Sequence, residues 1–359
     1  CSSLQYIKCM ATSVASTATN AWVNGVSSSG VFIKDPHYSW STGTSGIPSG
    51  WTALEYLQDE CLTFNVLTSG TLGWKSSNAL LSITLYYSKN GGGWTSITAS
   101  TEGVTFSVVE GDEVRFIGNN ASYAGSSWYT RFTSTCNFTV RGNIMSLSGF
   151  AESFSSDSSY YFSHLFHECT GLLDASGLTL PVTTLTPHCY DNMFFGCTNL
   201  VGVPELPATT MAEYCYYCMF DTCSSITTPP VLPATTMAAN CYRSMFYDCT
   251  SLATAPELPA TTLAENCYWS MFNGCTSLIV APTLSVATLV AGCYRAIFSN
   301  CTNLNYIKCL ATDISATDCT AYMTNNVAAS GTFVKATSMN SWETGVNGIP
   351  EGWTVEDES

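Results

Sequence analysis

From Leu180 to Leu304 the apolar and polar positions recur in the same order five times. The segments are "LPVTTLTPHCYDNMFFGCTNL", "LPATTMAEYCYYCMFDTCSSI", "LPATTMAANCYRSMFYDCTSL", "LPATTLAENCYWSMFNGCTSL" and "LSVATLVAGCYRAIFSNCTNL". Cysteines fall at 189, 215, 241, 267 and 293 and again at 197, 223, 249, 275 and 301, so both series step by 26. Within one segment Cys267, Met271, Phe272 and Cys275 stand at i, i+4, i+5 and i+8. That spacing predicts one side of a helix of about two turns. Tyr190, Tyr216, Tyr242, Tyr268 and Tyr294 edge the same face. Leu278, Ala281 and Leu284 make a short extended run, and the recurring prolines (Pro204, Pro230, Pro256, Pro282) keep it short because proline cannot donate to a central ladder. A period in the twenties predicts a solenoid, each coil covering its neighbour's apolar flank. One coil therefore reads as a brief strand, a Pro-Ala-Thr-Thr turn and a short helix.

The strings "GCTSL" at 274–278, "APELP" at 255–259 and the recurring "MF" resemble the BspA-like class of bacterial surface leucine-rich repeats. The resemblance covers roughly residues 148–359 and again 1–52 and implies an adhesive role. The expected fold class is thus mixed: a leucine-rich-repeat solenoid, with a short strand and a short helix per 26-residue coil, joined to an all-β sandwich domain.

The flanks set the expected boundaries. Residues 1–52 duplicate 301–354: "CSSLQYIKCMATSVA" matches "CTNLNYIKCLATDIS", and "SWSTGTSGIPSGWT" matches "SWETGVNGIPEGWT". Because 301–354 closes a repeat array, 1–52 is expected to be the end and cap of a preceding array. Trp40 and Trp51, or Trp342 and Trp353, would then cover the open apolar end. Residues 53–147 alternate in strand fashion, with "NGGG" and Glu110-Gly111-Asp112 as turns, and predict a β-sandwich. Residues 148–306 form the array, with a first coil at a step of 28. Residues 307–359 hold the last degenerate coil, its cap and an acidic tail.

Eighteen cysteines raise the question of disulfides or metal. Twelve lie in the repeat registers, where a helix face needs small apolar groups, and a rise of about 12 Å over eight helical residues forbids pairing within a coil. Free buried thiols are expected, with bridges between coils as the alternative. Cys218 of "CYYC" falls in a variable column and is expected to face outward. "HLFHEC" (His164, His167, Cys169) puts two histidines on one face but lacks a third ligand, so no metal and no cofactor are expected.

Lysine and arginine number 11 against 26 acidic residues, a balance unsuited to nucleic acid or anionic membrane surfaces. No apolar run approaches a membrane span. No hydrolase elbow, zinc-protease, P-loop or EF-hand string occurs, and Asp112 and Glu113 read as a solvated hairpin tip. An enzyme is not expected. The variable columns point instead to recognition: Asp191, Tyr217, Arg243, Trp269 and Arg295 after each Cys-Tyr, with Tyr214 and Tyr247 beside them, form a candidate exposed ligand-binding strip. Trp94, Tyr123, Trp128 and Tyr129 lie in or near turns, where exposed aromatics can stack on sugars, but core packing is the expected role. The expected function is non-catalytic extracellular binding or adhesion, at a bacterial cell surface or on a virion. The partner would be a host or neighbouring-cell protein or a glycan, with self-association as a further mode. The alternative is a structural component of a virion fibre or surface filament.

Overall fold

The structure, a computed structural model, describes residues 2, 4, 6–9, 23–34, 40–55, 60–79, 82–155 and 159–358. Among them the chain is nearly all β, and its only helical element is the 3-10 turn Ile144–Leu147. The expected leucine-rich-repeat solenoid with a helix in each coil is therefore overturned.

What replaces each helix is a ribbon of overlapping tight turns. In the segment 186–197, the N–H groups of Cys189, Asp191, Met193, Phe195 and Cys197 each donate three residues back along the chain, at 3.0–3.3 Å. The N–H groups alternating with them, on His188, Tyr190, Asn192, Phe194 and Gly196, donate instead to carbonyls of the following coil, at Glu213, Cys215, Tyr217, Met219 and Asp221. The same five positions donate across every later step, ending with Gly292, Tyr294, Ala296, Phe298 and Asn300. Every fourth residue lies in the left-handed region: His188, Asn192 and Gly196 have φ of 57°, 53° and 71°. A true helix would have used all of its N–H groups internally and left nothing for the neighbour. The ribbon's period of four residues, close to 3.6, explains why its buried positions imitate a helical face.

That face is continuous. The paired Cys-Tyr and Met-Phe positions are fully buried and stack on their equivalents. Phenylalanine rings from Phe166 to Phe298 follow one another at 5.3–6.0 Å with planes within 12°. Tyrosines 190 to 294 repeat at 5.7–6.1 Å. Every cysteine among the described residues is a free thiol. The second series has a hydrogen-bonding reason for its identity: Cys197, Cys223, Cys249, Cys275 and Cys301 donate to the carbonyls of Phe166, Phe194, Phe220, Phe246 and Phe272 at 3.0–3.1 Å. The argument from helical rise does not apply, since no helix separates these thiols.

The opposite side of each coil is less tightly bonded. Val201 N–H reaches Leu173 O, and Asn305 N–H reaches Ile279 O, so the outer coils pair. Between the proline-rich runs 201–207 and 227–233 no such bond is formed, and a groove of about 650 Å³ opens there. Proline has no N–H to offer there.

Residues 60–147 build two facing sheets. One has the order β13-β12-β4-β9-β6-β7, from Leu172–Thr179, Phe138–Asn143, Leu62–Val66, Glu113–Ile117, Thr84–Lys89 and Trp94–Thr98. The other is β10-β11-β5-β8, from Ala124–Gly125, Trp128–Ser134, Gly70–Ser76 and Val104–Val108. Phe64 and Phe116 of the first sheet meet Phe132 of the second at 4.8 and 4.9 Å. The β6–β7 turn has φ of 52° at Asn90 and 70° at Gly91, as a type I′ hairpin requires. Asp112 is not a solvated tip residue. It is buried, accepts hydrogen bonds from Val109 N–H and Asn90 Nδ2 at 2.8 and 2.7 Å, and its carboxyl is held below its usual range by those bonds. Strand β13 pairs with β12 on one edge and bridges to Gly202 on the other, so the larger sheet runs into the repeat stack.

Within the described residues the duplicated segments fold alike. Strands β1 (Tyr6–Cys9), β2 (Val31–Lys34) and β3 (Thr52–Glu55) form a parallel sheet, as do β14 (Tyr306–Cys309), β15 (Thr332–Lys335) and β16 (Thr354–Asp357). Trp51 and Trp353 are buried, their indole N–H groups bonded to Ser27 O and Ala328 O. Trp353, Ile349 and Phe333 continue the apolar core of the stack.

Candidate functional site

Four of the seven strip residues come together. Tyr217, Arg243, Trp269 and Arg295 occupy one register in successive coils, so the step that stacks the core rings also stacks them. The Arg243 guanidinium lies 3.6 Å from the Trp269 ring centroid and 5.6 Å from that of Tyr217. Arg295 covers Trp269 at 4.7 Å and pairs with Asp318 at 2.9 Å. All four side chains are half-buried. Contacts of this kind contribute about 0.5–2 kcal/mol each. Burial raises the Tyr217 hydroxyl above its usual range, so it is neutral at physiological pH.

The other three take no part in the stack, although Asp191 shares its register. Asp191 is buried and bonded to His188 Nδ1 at 2.9 Å and to Asn192. Burial raises its carboxyl, and the histidine opposes that rise. Tyr214 belongs to a neighbouring column in which Tyr160, His188 and Tyr214 stack at 4.3 and 4.8 Å. It touches the main ladder edge-on, through Tyr217 at 5.5 Å. Tyr247 stands apart from the ladder, near Asp221 and Asp248. Cys218, expected to face outward, is buried, as is Asp221, whose carboxyl burial pushes up to about 7. The hydrophobic pattern hid both, because neither position repeats a residue type; the recurrence of aromatics at 160, 188 and 214 was the signal for the second column.

The pair His164 and His167 forms a joint. Tyr129 of β11 stacks on His164 at 4.3 Å, and His167 stacks on Phe195 at 4.8 Å. Arg131 lies beside them, donating to His167 O at 2.8 Å and Glu168 Oε2 at 2.6 Å. Burial, with Arg131 close by, lowers His164 to about 3 and His167 to about 4, so both are neutral packing elements. Among the described residues no three His, Cys, Asp or Glu side chains converge as metal ligands. Tyr123 is fully buried with its hydroxyl on Leu147 O, a core residue rather than a sugar platform.

What the ladder can do follows from its stacking. Both faces of the Trp269 indole carry a guanidinium, and one face of Tyr217 does. The strip therefore presents ring edges and guanidinium rims, suited to shape recognition and hydrogen bonding, not open aromatic faces. Among the described residues no helix is long and apolar enough to cross a membrane. No family model, curated protein or solved structure matches this chain.

Proposed function

We propose that the chain is a non-catalytic extracellular binding or adhesion protein whose recognition surface is the Tyr217–Arg243–Trp269–Arg295 ladder. The observation that carries this reading is the division of labour within each coil. Backbone bonds and the buried Cys, Tyr, Met and Phe columns set coil against coil, so this outward register is free to differ from coil to coil, and it does. Trp, Tyr and Arg, the residues gathered there, are those that dominate interface hot spots. The BspA-like resemblance supports an adhesive role at a cell surface, although the helical coil it implied is corrected above. Fluorescently labelled chain should bind saturably to bacterial or host cells in flow cytometry, and Trp269→Ala should weaken that binding about tenfold or more. Absence of saturable binding, or turnover of a polysaccharide by the intact chain, would sink the reading.

A second reading, a structural subunit of a virion fibre or surface filament, draws on strand β16. All four of its residues are exposed and it ends its sheet. An open strand edge is a template for lateral pairing. Regular polymers of purified chain in negative-stain electron microscopy would favour it.

A further inference from the structure

Arg243 differs from every other arginine in the chain. The sequence has five, at 115, 131, 141, 243 and 295. Four of them hold a carboxylate within 2.6–2.9 Å, on Glu113, Glu168, Glu113 and Asp318 respectively. Arg243, in a chain with 26 acidic residues, holds none among the described residues. Among the described residues its one hydrogen-bond partner is Asn240 Oδ1, at 3.4 Å from Nη1. Its Cζ lies over the Trp269 ring at 3.6 Å and over the Tyr217 ring at 5.6 Å. The guanidinium is thus held between two rings while, among the described residues, most of its five N–H donors have no partner. A forked, pre-oriented donor set of this kind matches a carboxylate bidentately, and its ordering cost is already met by the stack. Arg243 and Arg295 are also the only lysine or arginine residues between Arg141 and Lys308, so the five repeated segments 180–304 carry their cationic side chains in the ladder alone.

We propose that the ladder docks a protein partner through an aspartate or glutamate side chain seated on the rim of Arg243. This rests on the binding reading above and names its chemistry. A carboxylated sugar shares that chemistry, but sugars gain affinity by stacking on open aromatic faces, and here Arg243 and Arg295 cover both faces of Trp269. The geometry favours the acidic peptide side chain. Arg295, already paired with Asp318, serves as the orienting neighbour.

The test uses the full chain. A random twelve-residue peptide library displayed on phage is panned on it, after depletion on Arg243→Gln, and the selected peptides are synthesised and titrated by calorimetry. The expected result is an Asp or Glu enriched at one peptide position. Affinity should fall about tenfold or more in Arg243→Gln, recover only in part in Arg243→Lys, and change less than about threefold in Arg141→Gln, an ion-paired arginine outside the ladder. Replacing that peptide acid by its amide should weaken binding to the parent chain, with no further loss on Arg243→Gln. A cooperative melt well above the assay temperature shows that each variant folds, even where loss of the stacked guanidinium lowers its midpoint. Peptides without an acidic consensus, or peptides indifferent to Arg243→Gln, would overturn the proposal and leave the binding function standing. So would a glycan array in which a uronate or sialylated glycan, and no peptide, depends on Arg243. Failure of peptides, glycans and cells alike to bind would remove the proposal and the binding function together.

Discussion

Replacing Ala296 by glycine separates a ribbon of turns from a helix by the sign of the effect. Ala296 has φ of 49°, sits half-buried with its N–H on Ala321 O at 2.7 Å, and has no side-chain hydrogen bond to lose. Holding an L-residue in the left-handed region costs about 1–2 kcal/mol, which glycine avoids. Glycine's greater freedom in the unfolded chain returns roughly 0.5–1 kcal/mol of that. The net expectation is a gain of about 0.5–1 kcal/mol. In a helix the same change costs about 1 kcal/mol. The two cases differ in direction, so moderate precision is enough. Equilibrium urea unfolding, followed by tryptophan fluorescence, gives the global effect. Amide exchange across Phe298 and Asn300 reports the local one, which matters because stacked repeats need not unfold in one step. Ala296→Val is the companion variant and should cost about 2 kcal/mol, since a β-branched side chain tolerates this conformation worst. A urea midpoint lowered by Ala296→Gly would refute the ribbon.

Other columns make further predictions. Cys249→Ala removes a fully buried thiol that donates to Phe220 O at 3.1 Å, and should cost about 1–2 kcal/mol in urea unfolding; Cys249→Ser, which keeps a donor, should cost less if the hydrogen bond is the reason for cysteine there. Asp221 has its carboxyl raised to about 7, so the protonated form favours folding: its contribution is complete below about pH 4 and is lost as pH rises to about 7. Asp221→Asn should flatten the fall in melting temperature between pH 5 and 8 and leave the variant more stable at pH 8, by about 2 kcal/mol after allowance for solvent screening. Half-buried Cys9 should react with a thiol reagent in the native chain, whereas Cys197, Cys223, Cys249 and Cys275, whose thiols burial raises well above their usual range, should react only after unfolding.

The repeat, its register and its buried columns were legible in the residues because a 26-residue period survives any local conformation. The secondary structure was not, since Cys267, Met271, Phe272 and Cys275 satisfy a period of four as well as one of 3.6. A second signal was present in the positions that do not match. Asn192, Gly196, Asn240, Asp248, Asn266, Gly274, Gly292 and Asn300 are residues that accept positive φ, spaced in fours between the apolar pairs. A helix would have placed alanine, leucine, glutamate or lysine there. Of the candidate strip, Tyr217, Arg243, Trp269 and Arg295 could be read from one column because register places them side by side. The burial of Asp191 and Cys218 could not, because it depends on neighbours in the adjoining coils, which no single column shows.

The alternating N–H groups of the ribbon have a consequence for how such a chain can change over time. Each coil offers its neighbour the same five donors and meets the same carbonyls, whichever coil that neighbour is. Inserting or deleting 26 residues therefore preserves the ribbon's backbone bonding at every junction, and the closing sheet of β14, β15 and β16 would find the same donors and carbonyls. Length and outward lettering can be edited in whole units, by recombination between near-identical stretches of the gene, without redesigning the interior.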